Sequence, residues 1–325
     1  MIISKTPYRI SFFGGGTDYP GWYRENGGQV LSTTINKYIY ISCRNLPPFF
    51  EHKHRLVYSM IEEVQDISEI DHPAARAVLN FLKSEDGMEI HYDGDLPGKS
   101  GMGSSSSFTV GLLNTIYRYN GIRVKPQRLA EEAIHIEQNI IGETVGSQDQ
   151  IAASFGGFNH IKFKGDSFTI SPISIPEERL TQLDSNIMLC FTGIQRFAEK
   201  VAKTYVDDIK AKEKQLKLMH QMVDEGKRII NNGDLDDFGH LLDEAWQRKK
   251  ELSTEVSSQI IDDIYNSAKK SGAIGGKISG AGGGGFMFFY VPVEKQEEVK
   301  KNLSQLLHVP FNFENVGSRI IFSGE

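Results

Sequence analysis

The chain has 325 residues, 39% of them apolar and 24% charged, with a formal charge of −6 and two cysteines. That length is enough for two hydrophobic cores, and the composition is that of a soluble globular protein, which excludes disordered and fibrous classes. The charge gives no general pull toward nucleic acid or anionic membrane, so an anionic ligand would have to be held by local donors.

Ile2 to Phe13 predicts a strand that runs directly into Gly14-Gly15-Gly16-Thr17-Asp18-Tyr19-Pro20. Such a glycine run lets a loop pass tightly over a ligand with Asp18 directed into that space; the alternative is an ordinary turn in which Asp18 caps its own backbone. Gln29–Thr34 and Lys37–Cys43 read as strands. His52-Lys53-His54 reads as a solvated hairpin tip, because no third ligand of suitable type lies at a recognisable spacing. An amphipathic helix is expected after Pro73, then a strand over Met88–Tyr92.

Pro97 to Ser107, PGKSGMGSSSS, follows that strand and leads into a helix expected from Phe108. Glycines admit close approach, and the first amides of a helix have no intrahelical partner, so the stretch suits phosphate oxygens. Its hydroxyl run adds donors and oxygens able to ligate a metal. A helix from Pro126 carries Glu137, and the loop Gly142 to Gln150 carries Asp149. The domain boundary is expected near Leu183, giving domains 1–183 and 184–325.

The second half opens with a strand, Ile187–Phe191, followed by Thr192-Gly193 and a long helical region that Asn231-Asn232-Gly233 stops. Asp234 is placed to cap the next helix. A helix over Gln259–Lys270, a glycine stretch, a strand over Phe286–Val291, a helix over Glu294–Leu307 and a strand over Arg319–Phe322 complete the chain. Strands alternating with helices make it α/β or α+β. Cys43 and Cys190 sit in apolar strand-like runs, as buried thiols in a reducing compartment would. With no signal-like start and no apolar run near the ~20 residues that span a bilayer, a cytoplasmic enzyme is expected.

Two nucleotide motifs fail on context. GDLPGKS at Gly94–Ser100 has three residues between its first glycine and Gly98-Lys99, where a P-loop needs four. Gly280 to Gly285 contains GxGxxG, but a strand follows it, not the helix that a dinucleotide fingerprint requires.

What remains is TPYRISFFGGGTDYP at Thr6–Pro20, PxxxGMGSSSS at Pro97–Ser107 and KISGAGGGGF at Lys277–Phe286. In order, along nearly the whole chain, these resemble motifs one, two and three of the GHMP kinases, the small-molecule kinases named for galactokinase, homoserine, mevalonate and phosphomevalonate kinases. The resemblance implies a two-domain α+β fold, an N-terminal nucleotide-binding domain and a C-terminal ferredoxin-like one, with ATP and Mg²⁺ as cofactors. It implies that Pro97, Gly98, Lys99, Gly101, Met102, Gly103, Ser104, Ser105 and Ser106 cradle the ATP phosphates, and that Ser105 and Glu137 ligate the metal. Asp149 would accept or orient the proton of the attacking hydroxyl, with Arg9 paired to it. Gly280, Gly282 and Gly283 would lie by the acceptor.

Gly15, Gly16, Thr17 and Asp18 form the acceptor loop. Galactokinases carry glutamate and histidine where this chain has Gly15 and Gly16, which removes a galactose contact. Within the family the pattern looks most like the kinases of D-glycero-D-manno-heptose 7-phosphate, which phosphorylate the anomeric hydroxyl on the way to GDP-activated heptose. Arg196 is then the expected cation for the phosphate that the sugar already carries. The alternatives are a kinase of an unphosphorylated sugar, such as L-fucose, and a non-catalytic sugar sensor on the same fold. The expected partners are ATP and a sugar phosphate, with no nucleic acid and no membrane.

Overall fold

The computed structural model describes residues 1–194 and 198–324. In chain order its main elements are β1 (Ile2–Phe13), α1 (Pro20–Asn26), β2 (Gly28–Asn45), β3 (His54–Val57), β4 (Ile61–Val64), α2 (Pro73–Phe81), β5 (Met88–Gly94), α3 (Ser104–Tyr119), α4 (Pro126–His135), α5 (Gln148–Phe155), β6 (Phe158–Lys164), β7 (Ser167–Pro172), α6 (Glu177–Ser185) and β8 (Ile187–Phe191). Then follow α7 (Ala198–Val206), α8 (Glu213–Asn232), α9 (Leu235–Lys250), α10 (Gln259–Lys270), β9 (Gly275–Ile278), β10 (Phe286–Tyr290), α11 (Gln296–Asn302), β11 (Leu307–Val309), β12 (Phe313–Glu314) and β13 (Arg319–Ser323).

Two sheets organise these elements. The larger has the path β13-β1-β2-β5-β3-β4, with β6 and β12 also paired to β2 and β7 paired to β6. The smaller runs β11-β8-β10-β9. Because β2 is long, its first part pairs with β6 and its last part with β5. The helix α3 lies against β1 and β2 and is buried on every side from Ser106 to Tyr117, so its sequence lacks a polar stripe. Phe12, at the end of β1, meets Phe158, Phe238, Phe288 and Phe313 edge-on at centroid distances of 5.2–6.1 Å. These rings come from both halves of the chain, so the end of β1 is fixed where the two sheets and their helices meet.

Several expectations are corrected. The helix begins at Ser104, not Phe108, because Gly103 takes a left-handed conformation and the serine hydroxyls find partners outside the helix. The expected helix at Glu294–Leu307 is a short 3-10 turn and α11, followed by β11. His54 is not at a solvated tip but buried at the start of β3, where burial lowers its pKa. The end of the chain does not stay with the second domain: β12 and β13 return to β2 and β1 of the larger sheet. Asp234 caps α9 as expected, and both cysteines are free thiols whose burial pushes them up to about 12.

Candidate active site

Arg9 projects from β1 with only 4% of its side chain exposed. Its Nε donates to Asp149 Oδ1 at 2.8 Å and its Nη2 to Asp149 Oδ2 at 2.7 Å, a two-pronged pair. The remaining arm donates from Nη1 to the Gly101 carbonyl at 2.8 Å. A rigid guanidinium fork bound this way fixes the plane of the carboxylate, which sits in the first turn of α5.

The Gly101 carbonyl also accepts from Ser279 Oγ at 2.8 Å. Gly101 and Gly280 meet backbone to backbone at φ +81° and +68°. A Cβ on Gly280 would stand 2.7 Å from the Gly101 Cα, and one on Gly101 would stand 2.6 Å from the Ser279 carbonyl oxygen. Both positions therefore need glycine for space as well as for conformation. Further along, the Gly285 carbonyl accepts from Thr192 Oγ1 at 2.8 Å, which ties the loop after β8 to the same wall.

Asp18 is 2% exposed, and its Oδ1 accepts from the Gly16 amide at 2.9 Å. Burial raises its pKa, and the charge of Asp149 adds to the rise. The loop before α5 closes over it: the Ser147 amide donates to the Asp18 carbonyl at 2.9 Å, and a Cβ on Gly146 would collide with the Asp18 carboxylate. Thr17 faces away, its Oγ1 donating to the Gly14 and Gln29 carbonyls at 2.8 and 2.9 Å, so it braces the loop from behind.

Glu137 lies in a π-helical turn, Ile136–Ile141, and is fully buried. Ser106 Oγ and Gln150 Nε2 both donate to its Oε2, at 2.8 and 2.5 Å, while Oε1 has no partner among the described residues. Burial pushes the carboxyl up to about 7, with Glu143 adding to the effect. Ser105, the expected metal hydroxyl, is exposed on the rim, and the hydroxyl that reaches Glu137 belongs to Ser106.

One cavity of about 290 Å³ gathers Arg9, Gly15, Gly16, Asp18, Lys99, Gly101, Gly103, Ser104, Ser105, Ser106, Asp149 and Gly280. Other expected residues stand outside its lining. Met102 is turned into the core, Pro97 and Gly98 lie exposed on the approach, and Gly282 and Gly283 pack against Val256. Arg196 lies outside the described residues. The cavity also contains residues absent from the expected set, among them Gly146, Gln148, Tyr205, Lys249 and Lys277. Lys277 opens the third glycine motif and could have been noticed there, whereas Lys249 sits in an Arg-Lys-Lys run that reads as solvated helix.

An arginine-clamped aspartate beside a glycine-serine helix start and a second glycine loop is equipped for phosphoryl transfer, which needs positioning and charge stabilisation more than covalent chemistry. Residues 67–157 match the GHMP kinases N terminal domain and residues 227–308 match GHMP kinases C terminal, and the chain belongs to this family. It is therefore a small-molecule kinase, a phosphotransferase that uses ATP and acts on an alcohol group.

The relatives narrow this to a sugar kinase. The D-glycero-alpha-D-manno-heptose 7-phosphate kinase of Campylobacter jejuni is 31% identical over 313 residues, 92% of each chain. The bifunctional fucokinase/GDP-fucose pyrophosphorylase of Arabidopsis thaliana is 24% identical over 95% of this chain and 31% of its own length. Among solved structures, a D-glycero-D-manno-heptose 1-phosphate kinase from Bacteriodes thetaiotaomicron superposes with a TM-score of 0.82 at 23% identity, covering 100% of both chains. Lactococcus lactis galactokinase complexed with galactose gives a TM-score of 0.74 at 18% identity over 98% of this chain and 94% of its own, a likeness of fold.

Proposed function

We propose that this chain transfers the γ-phosphoryl group of ATP to the anomeric hydroxyl of D-glycero-D-manno-heptose 7-phosphate, giving the 1,7-bisphosphate, in the cytoplasm. The observation that carries the choice of sugar is the acceptor side of the cavity. A Cβ on Gly15 would meet nothing closer than Ser11 Oγ at 3.7 Å and Gln148 Nε2 at 3.8 Å. Ser11 Oγ and Gln148 Oε1 are buried there without partners among the described residues. A side chain on Gly15 would start in van der Waals contact with Ser11 and Gln148, so glycine there leaves the polar atoms of both to the hydroxyls of a polyol. The heptose 7-phosphate kinase relative supports the same choice.

In this reading the backbone of Gly101–Ser106 and the serine hydroxyls receive the ATP phosphates at the start of α3. Asp149, held by Arg9, accepts or orients the proton of the attacking hydroxyl, and Asp18 holds a neighbouring hydroxyl. Magnesium, which the family implies, suits the residues present, because the Glu137 Oε1 atom is buried beside a serine hydroxyl and has no partner among the described residues. Glu137 would hold it, with Ser106 or Ser105, and it would neutralise charge on the phosphates.

The test is ADP release with ATP and a panel of heptose 7-phosphate, L-fucose, galactose and mannose, with the product position read by phosphorus NMR. The reading expects heptose 7-phosphate to be preferred, with a C1 product. The fucokinase relative favours a second reading, an unphosphorylated sugar acceptor, which preference for L-fucose would establish. Asp149→Asn is expected to lower kcat by about 10²–10⁴ while ATP still binds; near-normal turnover removes Asp149 from proton transfer.

A further inference from the structure

Two lysines outside the family motifs' catalytic set line the same cavity. Lys249 lies in the last turn of α9, Lys277 lies in β9, and they are 6% and 3% exposed. Lys249 Nζ donates to the Ile278 carbonyl at 3.1 Å and also to the Gly280 carbonyl. Lys277 Nζ donates to the Phe12 carbonyl at 2.9 Å. All three partners are neutral, and neither ammonium is ion-paired with a carboxylate among the described residues.

The charges around them are unbalanced. Arg9 reaches in from β1 as a third cation, but it is neutralised by Asp149. Asp18, from the loop after β1, is the carboxylate whose charge acts on both lysines. Burial, Lys277 and Arg9 push Lys249 well below the usual lysine range. Burial and Arg9 bring Lys277 down to about 7. Two buried like charges bonded only to carbonyls, with Asp18 the one carboxylate acting on both, are unfavourable on their own and favourable once an anion stands between them.

We propose that Lys249 and Lys277 together hold a phosphoryl anion on the acceptor side of the cavity; the proposal rests on the sugar-kinase reading above. Phe12 and Asp18, which flank Lys277 and act on it, belong to the strand and loop that carry Gly15, which sets the side. The anion is either the phosphate ester brought by the acceptor or the phosphoryl group in transit from ATP. Both are tetrahedral oxyanions that three-donor ammonium groups can surround.

The experiment uses the full chain with Lys249→Met, Lys277→Met and the corresponding arginine variants. Each is assayed with ATP and either D-glycero-D-manno-heptose 7-phosphate or the same heptose without phosphate. If the lysines hold the acceptor's phosphate, the methionine variants raise KM for the phosphorylated sugar by about 30-fold or more. KM for ATP and the constants for the unphosphorylated sugar then stay within about threefold, and arginine restores part of the loss. If they hold the group in transit, kcat falls by a similar factor with both acceptors while the KM values stand. Either pattern supports the hold and names its source. Constants within about threefold of wild type for both acceptors overturn it. So does a loss common to every ligand that tracks a lowered unfolding midpoint and that arginine does not rescue, since it marks the lysines as loop ties.

Calorimetry on the wild-type chain gives a readout independent of folding defects. At about pH 8 the phosphate ester is fully ionised, so binding the phosphorylated sugar, or a non-hydrolysable ATP analogue with sugar, should draw a proton from the buffer onto the lysine pair. A binding enthalpy that changes with the buffer's own ionisation enthalpy supports the proposal, and one that does not counts against it. A wild-type chain that phosphorylates no sugar removes the sugar-kinase reading and this proposal with it. An active wild type with indifferent lysine variants removes the proposal alone.

Discussion

Glu137 is a carboxyl held near neutrality by burial, next to a serine and a glutamine that both serve one of its oxygens. Its pKa of about 7 in the folded chain lies above the unfolded value of 4.5. The folded, ligand-free protein therefore binds the extra proton between those values. The contribution to stability is fully present below about 4.5 and is lost as pH rises through about 7. For a group buried this completely, the swing is on the order of 3 kcal/mol. Glu137→Gln is expected to flatten this part of the pH dependence, so that the variant at pH 8 unfolds at or above the wild-type temperature while losing activity. Thermal unfolding at pH 5 and pH 8 without ligands checks it; an unchanged slope in the variant would place the titration elsewhere. The same residue shows what the sequence withheld. Its acidity and position were readable, but the partner hydroxyl was not, because a π-helical turn and a helix starting earlier than its apolar pattern together select Ser106 over Ser105.

Among elements, the contact that matters most is between two loops. The turns around Gly101 and Gly280 share one wall, stitched by Ser279 Oγ and by the arm of Arg9 that Asp149 leaves free. All three glycine motifs thus meet at a single carbonyl oxygen. Gly280→Ala would force a Cβ into the Gly101 backbone in a left-handed conformation, so the loops must part. The expected result is a fall in kcat/KM of about 100-fold or more, carried by both ATP and sugar, with the unfolding midpoint lowered by several degrees. Steady-state kinetics with either substrate varied would show it, and normal constants would mean that the loops can slide past each other. The motifs themselves were readable as runs of glycine and serine. Their mutual contact was not, because it joins residues about 180 positions apart, a separation no local pattern encodes.

At the scale of the whole molecule, many strands follow from local apolar patterning: β1, β5, β8, β10 and β13 all lie where alternation or apolar runs put them. The pairing of those strands is a different matter. β13 reads as a strand in isolation, yet nothing local says that it lies beside β1 at the edge of the larger sheet. Its approach is held by the Ser318 amide donating to the Ala153 carbonyl at 2.8 Å and by a 2.8 Å hydrogen bond between Thr6 Oγ1 and Ser318 Oγ. A chain cut after residue 312 leaves the Ile2–Lys5 part of β1, on the strand that carries Arg9, with an open edge. It is expected to lose cooperative thermal unfolding as followed by circular dichroism, whereas a truncated chain that melts sharply would show the strap to be dispensable.

That strap also sets an order of events during synthesis. The strand bearing Arg9 leaves the ribosome before its outer neighbour, over Arg319–Ser323, which is made some 300 residues later. The nascent chain must therefore carry an unfinished sheet edge while the residues between those two strands are made. The edge beside Ile2–Lys5, at the foot of the strand that carries Arg9, closes only when that late strand arrives.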